Sequence, residues 1–204
     1  ALHPKVNPYK KPIEKVSLLG KYGYYLEHLN IILGCYKQLS GDHYDYLHAK
    51  VSEHLLELSM KQSNFHSELL PYSKMRWSAD QAGIIYSLWL YDRVNSTNLH
   101  DELAKNWLAT MMDGYVHQDT GLFETEVMRV KNYSRQPRGC SLAYLIYYMS
   151  FFERNQAERH WAIFKKHMMI KKMGIWGFRE YLPSYRGQWT PDSGPIFFGL
   201  GVAA

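Results

Sequence analysis

"ELLPYSKMRWSADQAG" at residues 68–83 and "EYLPSYRGQWTPDSGP" at residues 180–195 share one layout. In each, a Leu-Pro pair starts two places after a glutamate, and a tryptophan stands nine places after it. An aspartate follows that tryptophan by three, and a glycine comes shortly after. The copies put Glu68, Trp77 and Asp80 in register with Glu180, Trp189 and Asp192. A chain that repeats a loop in this way repeats the unit that carries it.

Outward from the first copy, "DQAGIIYSLWLYD" (80–92) reads as an apolar helix, followed by a turn containing "NSTN" and a more polar helix at about 99–113. The same unit precedes it. An apolar helix is expected at 17–39, a "GD" turn at 41–42, and an amphipathic helix at 43–62. It follows again as "SLAYLIYYMSFF" (141–152) and "AERHWAIFKKHMMIKK", then a loop at 173–191 and "GPIFFGLGVAA", the start of a fourth apolar helix. Helix starts at Asp80, Ser141 and Asp192 are 61 and 51 residues apart. No strongly alternating run supports a conventional sheet, although 121–128 and 177–182 are candidates for short strands within loops.

Units of this size read as stacked helical hairpins, apolar helices in an inner row and polar ones outside. The expected fold is all-α, with helical hairpins forming an (α/α) toroid or part of one and long loops at one mouth. An open solenoid is the structural alternative. Residues 1–204 are expected to form a single domain, truncated at the C-terminus because the fourth apolar helix lacks its outer partner.

The composition is rich in rings, with 17 Tyr, 8 Phe and 6 Trp, enough to serve both a core and a cleft. A net charge of +5 is mild and scattered, and no basic arm or metal finger is present, so nucleic acid is not an expected partner. The apolar stretches are too short to span a membrane. Cys35 and Cys140 make no disulfide framework. The chain begins at Ala1, which accords with removal of a signal peptide and a periplasmic or secreted location, while a cytoplasmic one stays open.

"RWSADQAG", "QPRGCSLAY" and "QWTPDSGPIFFGLGVAA" resemble (α/α)-toroid proteins of the linalool dehydratase/isomerase-like group. More distantly, the layout is similar to six-hairpin glycosidases. The resemblance implies an acid–base enzyme with a deep, mostly apolar central site, and an assembly of neighbouring subunits into a ring, a homo-oligomer. Of the groups thought to act in the dehydratase/isomerase, only Cys140 is matched here; a second nearby cysteine is missing.

The catalytic candidates are therefore Glu68, Asp80, Cys140, Glu180 and Asp192. Asp80 and Asp192 suit helix N-capping, which would depress their pKa. Glu68 and Glu180 have apolar neighbours that would raise theirs, unless arginines such as Arg76 or Arg186 pair with them. Cys140, after Arg138 at a helix start, reads as either an available thiolate or a buried inert thiol. Tyr22, His28, Trp77, Arg138, Trp176, Tyr181 and Trp189 are candidate substrate-binding residues. Tyr25 and Glu27 add a polar option on the first inner helix. No helix-borne histidine pair, phosphate loop or dinucleotide fingerprint occurs, so no zinc, ATP, NAD or other cofactor is expected; loop-bound calcium has no linear motif to exclude it.

Three functions compete on these residues. One is dehydratase/isomerase-like acid–base chemistry on a neutral hydroxyl-bearing small molecule. Another is a glycoside hydrolase or related enzyme acting on a saccharide. The third is a non-catalytic helical-repeat binding module. A deep pocket with converging acids would favour an enzyme; acids bridged to arginines would favour the module.

Overall fold

The computed structural model describes residues 2–15, 22–61, 77–126, 136–172 and 174–185. The fold is all-α. After a short 3-10 turn at Ile13–Lys15, six helices follow among the described residues: α1 Gly23–Ser40, α2 Asp45–Lys61, α3 Ser78–Asn95, α4 His100–Gly114, α5 Gly139–Phe152 and α6 Arg154–Met168. Each expected hairpin is present, with α1 on α2, α3 on α4 and α5 on α6. Helix α3 packs against both α1 and α5, and these three form the inner row.

The sequence explains the central place of α3. Its run Ser78–Ile85 is buried on every side, as expected of a helix apolar around its circumference. Gly34 of α1 lets the row close up, because a Cβ there would meet Leu90 at 2.7 Å. Buried polar joints set the register: Asn30 Nδ2 donates to Ser87 Oγ at 3.0 Å, and Ser52 Oγ donates to Asn30 Oδ1 at 3.1 Å. Gln81 Nε2 reaches Ser59 Oγ at 3.1 Å. Each satisfies polar groups that burial would otherwise leave costly. At the other end of the row, the Asp92 carboxylate accepts from the Leu99 and His100 backbone amides and fastens the turn into α4.

Two expectations change in detail. The helix read through residue 172 stops at Met168, and Met169–Lys172 (β1) pairs antiparallel with Ile175–Phe178 (β2). Gly174, at φ 82°, provides the left-handed turn residue that this tight hairpin needs. In the suggested strand at 121–128, the described residues 121–126 make two isolated bridges instead, Val116 to Phe123 and Trp77 to Glu126. The fourth apolar helix lies outside the described residues. Among the described residues no helix is long and apolar enough to cross a membrane.

Candidate active site

A cavity of about 220 Å³ opens where the N-terminal halves of the three inner helices meet. Helix α1 contributes Tyr24, Glu27 and His28 to it; the start of α3 contributes Trp77 and Asp80. Helix α5 adds Cys140, Ser141, Tyr144 and Tyr148. Helical spacing accounts for the grouping, since Tyr24 and His28, and Tyr144 and Tyr148, are four residues apart on one face. The loop after α4 holds the start of α3: the Ser78 backbone N–H donates to Thr125 O at 3.0 Å and its hydroxyl to Glu124 O at 2.9 Å.

The chemistry of the cavity lies in two carboxyls. Glu27 is 1% exposed and Asp80 7%. Gly83, one turn beyond Asp80, makes the room: a Cβ there would stand 2.0 Å from Glu27 Oε1. The Glu27 carboxyl thus lies on the α3 surface that also carries Asp80. Among the described residues Glu27 Oε2 and Asp80 Oδ2 have no hydrogen-bond partner. Burial pushes Asp80 up to about 7. Burial, and then the charge of Asp80, raises Glu27 well above the usual carboxylate range. Desolvation without a compensating cation favours the protonated acid. Asp80 does not cap α3. The cap position is Trp77, without a side-chain bond, so the depressed pKa expected of a capping aspartate is reversed.

His28 stands at the mouth, its Nδ1 2.9 Å from Tyr24 O and 3.8 Å from Glu27 Oε1. Tyr148, 9% exposed, has its hydroxyl pKa raised by burial first and then by Glu27.

Glu180 occupies a different setting behind the α5 end of the cavity. Its Oε1 accepts from Arg138 Nε at 2.7 Å and from Cys140 Sγ at 3.0 Å. Its Oε2 accepts from the Cys140 backbone N–H at 2.9 Å. Gly139 permits this approach, because a Cβ there would meet Arg179 O at 2.3 Å. The Arg138 guanidinium lies 5.5 Å from the Trp77 ring centre and 5.7 Å from that of Tyr181. Arg138 is thus an arginine that pins Glu180, while Arg186 lies outside the described residues. Burial, and next the Glu180 charge, pushes the Cys140 thiol up to about 12, so the helix start provides a neutral S–H and no thiolate.

Of the residues singled out in the sequence, Asp80, Cys140, Trp77 and His28 line the cavity, and Arg138, Glu180 and Tyr181 support its α5 end. Tyr22, at φ 78° before α1, packs edge-on against Tyr9 and is absent from the cavity lining. Trp176 is 60% exposed on β2, with Lys171 over its ring. Tyr181 stacks on Tyr185 at 4.5 Å. Glu68, Asp192 and Trp189 lie outside the described residues, as does Arg76. The central role of Glu27 and the wall formed by Tyr144 and Tyr148 had no repeat or motif to mark them. The available signal was one acid in the apolar stretch 23–34 and a glycine inside α3. No grouping of three or more potential metal ligands occurs among the described residues. Compared with known proteins, the chain matches no family model and no curated protein.

Proposed function

We propose that the protein is an acid–base enzyme of the toroid type, with dehydratase/isomerase-like action on a neutral hydroxyl-bearing substrate. The observation that carries this reading is the Glu27–Asp80 pair, two buried carboxyls with unpartnered oxygens at a largely aromatic cavity. Burial raises both pKa values, and the charge of Asp80 raises that of Glu27 further, an asymmetry that assigns the acid role to Glu27 and the base role to Asp80. Asp80 is raised by burial alone and Glu27 by burial and then by the charge of Asp80, so Asp80 is the first of the two to give up its proton and Glu27 the one that keeps it. Glu27 then protonates the substrate hydroxyl as the C–O bond breaks, and Asp80 takes the proton from the adjacent carbon. The electrons of that C–H bond form the alkene, and water leaves. The pair has given one proton and gained one, so return of a proton from Asp80 to Glu27 resets it; the reverse sequence hydrates an alkene.

Cys140 serves here as a neutral wall and a donor to Glu180. The saccharide reading loses Trp176 as a platform, because that ring stands outside the cavity lining. The binding-module reading is supported by Glu180, which is bridged to an arginine, but not by Asp80.

The test is turnover of a panel of branched allylic and tertiary alcohols, with the corresponding alkenes, in deuterated water. Alkene formation with solvent deuterium returned to carbon is expected. Glu27→Gln or Asp80→Asn should lower kcat by about 10²–10⁴, the usual contribution of a positioned proton donor or acceptor. Turnover that survives both substitutions would remove the pair from the chemistry, and no turnover across the panel would count against the substrate class.

A further inference from the structure

The cavity has a second property that the proton-transfer reading does not use. It encloses two acids and, among its described lining residues, no group that is permanently cationic. The nearby guanidinium, that of Arg138, is committed to Glu180. Glu27 and Asp80 are both more than nine-tenths buried, and Glu27 Oε2 and Asp80 Oδ2 lack partners among the described residues, while Tyr24, Trp77, Tyr144 and Tyr148 supply aromatic walls. Buried carboxylate facing a ring-lined cavity is the chemistry that recognises an ammonium group, through charge and through the negative faces of the rings. A volume of about 220 Å³ exceeds the roughly 150 Å³ that accommodates benzene in an apolar protein cavity, so a compact ion fits.

We infer that this cavity binds small organic ammonium ions, protonated amines or quaternary ammonium groups, which take up the charge of the Glu27–Asp80 pair. The inference rests on the pair and its walls, and stands or falls separately from the reaction proposed for them. Such an ion displaces a proton from the pair and occludes the site, competing with any neutral substrate.

The groups facing the pair come from all three inner helices. Asp80 itself comes from α3. Tyr24 and His28 come from α1, with His28 at the mouth. Cys140, Tyr144 and Tyr148 come from α5, and the first and last of these are held neutral by burial. Affinity for an ammonium ion therefore climbs as pH rises, by about tenfold per unit while one proton is displaced, and levels off once the pair has ionised.

Calorimetric titration of the full chain with choline, and with its uncharged isostere in which a quaternary carbon replaces the nitrogen, decides the matter. Choline is expected to bind at least about tenfold tighter at mildly alkaline pH, a preference within the reach of desolvated cation–ring attraction. Its binding heat should depend on the buffer's ionisation enthalpy, the mark of a released proton. Asp80→Asn and, separately, Glu27→Gln should each erase most of that preference; the second variant guards against a folding defect in the first. Equal or tighter binding of the uncharged isostere would overturn the inference and leave the neutral-substrate reading intact. Absence of choline binding at millimolar concentration would overturn it as well. Choline binding alongside a failed turnover panel would uphold the inference and reject the reaction.

Discussion

Glu180 and Glu27 are the same residue type at nearly the same burial, 3% and 1% exposed, at one end of the same inner row. Glu180 has a guanidinium, an amide N–H and a thiol aimed at its two oxygens. Glu27 has an oxygen with no partner among the described residues and a second acid for a neighbour. The first environment holds a charge in place. The second holds a proton. Burial alone does not separate a structural carboxylate from a reactive one; the partners do.

The sharpest way to break this contrast is to neutralise each glutamate and watch stability. Glu180→Gln removes the carboxylate charge that Arg138 Nε meets at 2.7 Å, and loss of one member of a buried pair costs about 3–5 kcal/mol. Glu27→Gln replaces a group that burial holds protonated, so in acid its cost should stay within about 1 kcal/mol, the worth of an ordinary hydrogen bond, and at higher pH it should not destabilise at all. Denaturant unfolding of the two variants against the parent measures both. Equal losses would mean that Glu27 is paired after all, and the contrast would collapse.

A second difference is expected in pH dependence. Asp80 is raised from 3.8 to about 7, so the folded protein holds a proton there that the unfolded chain has released. Stability from this group is full below about pH 4 and is lost as pH rises to about 7, with a slope of about 1.4 kcal/mol per unit, and changes little beyond. His48, packed on Tyr91, and His160, stacked on Phe123, work in the opposite direction. Burial lowers each from 6.5 to about 4, so their contribution is present above the unfolded value and is lost as pH falls through that window. The opposing slopes flatten the parent's profile. Asp80→Asn should uncover the histidine slope, with the variant equal to the parent in acid and more stable by a few kcal/mol near neutrality. Unfolding free energies across that range check it. A variant profile parallel to the parent's would show that Asp80 is ordinary.

The hairpins were legible because their signal is local. The all-round apolarity of "DQAGIIYSLWLYD" and the polar face of the helix after it mark inner and outer rows without any knowledge of contacts. Asp80 and Cys140 were legible as mouth residues for the same reason, since each begins an inner helix. Their partners were not. Glu180 is tied to Arg138 across 42 residues, and Glu27 reaches Asp80 from the preceding hairpin, so neither pairing falls within one loop or one turn of helix. The repeated loop directed attention to Glu68 and Glu180 as Asp80's companions, whereas the described companion comes from α1. The direction of the shifts at Asp80 and Cys140 was hidden too. A helix start suggests stabilised anions, and only the degree of enclosure and the charge of Glu180 reverse that.

Gly83 gives the smallest expected change in stability and the cleanest test of what places the two acids together. A glycine inside a helix costs up to about 1 kcal/mol relative to alanine, and α3 retains one where the Glu27 carboxyl crosses it. In Gly83→Ala the new methyl would stand 2.0 Å from Glu27 Oε1 and 3.1 Å from Tyr148 Cε2. The carboxyl is the free end of a flexible side chain and can swing aside, so the fold survives, with the helix gaining roughly what the displaced contacts lose. Glu27 then leaves Asp80, regains water and returns towards an ordinary acidity. Unfolding free energy within about 1 kcal/mol of the parent is expected, together with a shallower carboxyl slope and loss of turnover. The combination separates site from scaffold, because Glu180→Gln should do the reverse and weaken the fold while leaving Glu27 and Asp80 where they are. Full turnover with alanine at 83 would mean that the Glu27 carboxyl has no need of its groove on α3, and the proton-transfer role would pass to Asp80 alone.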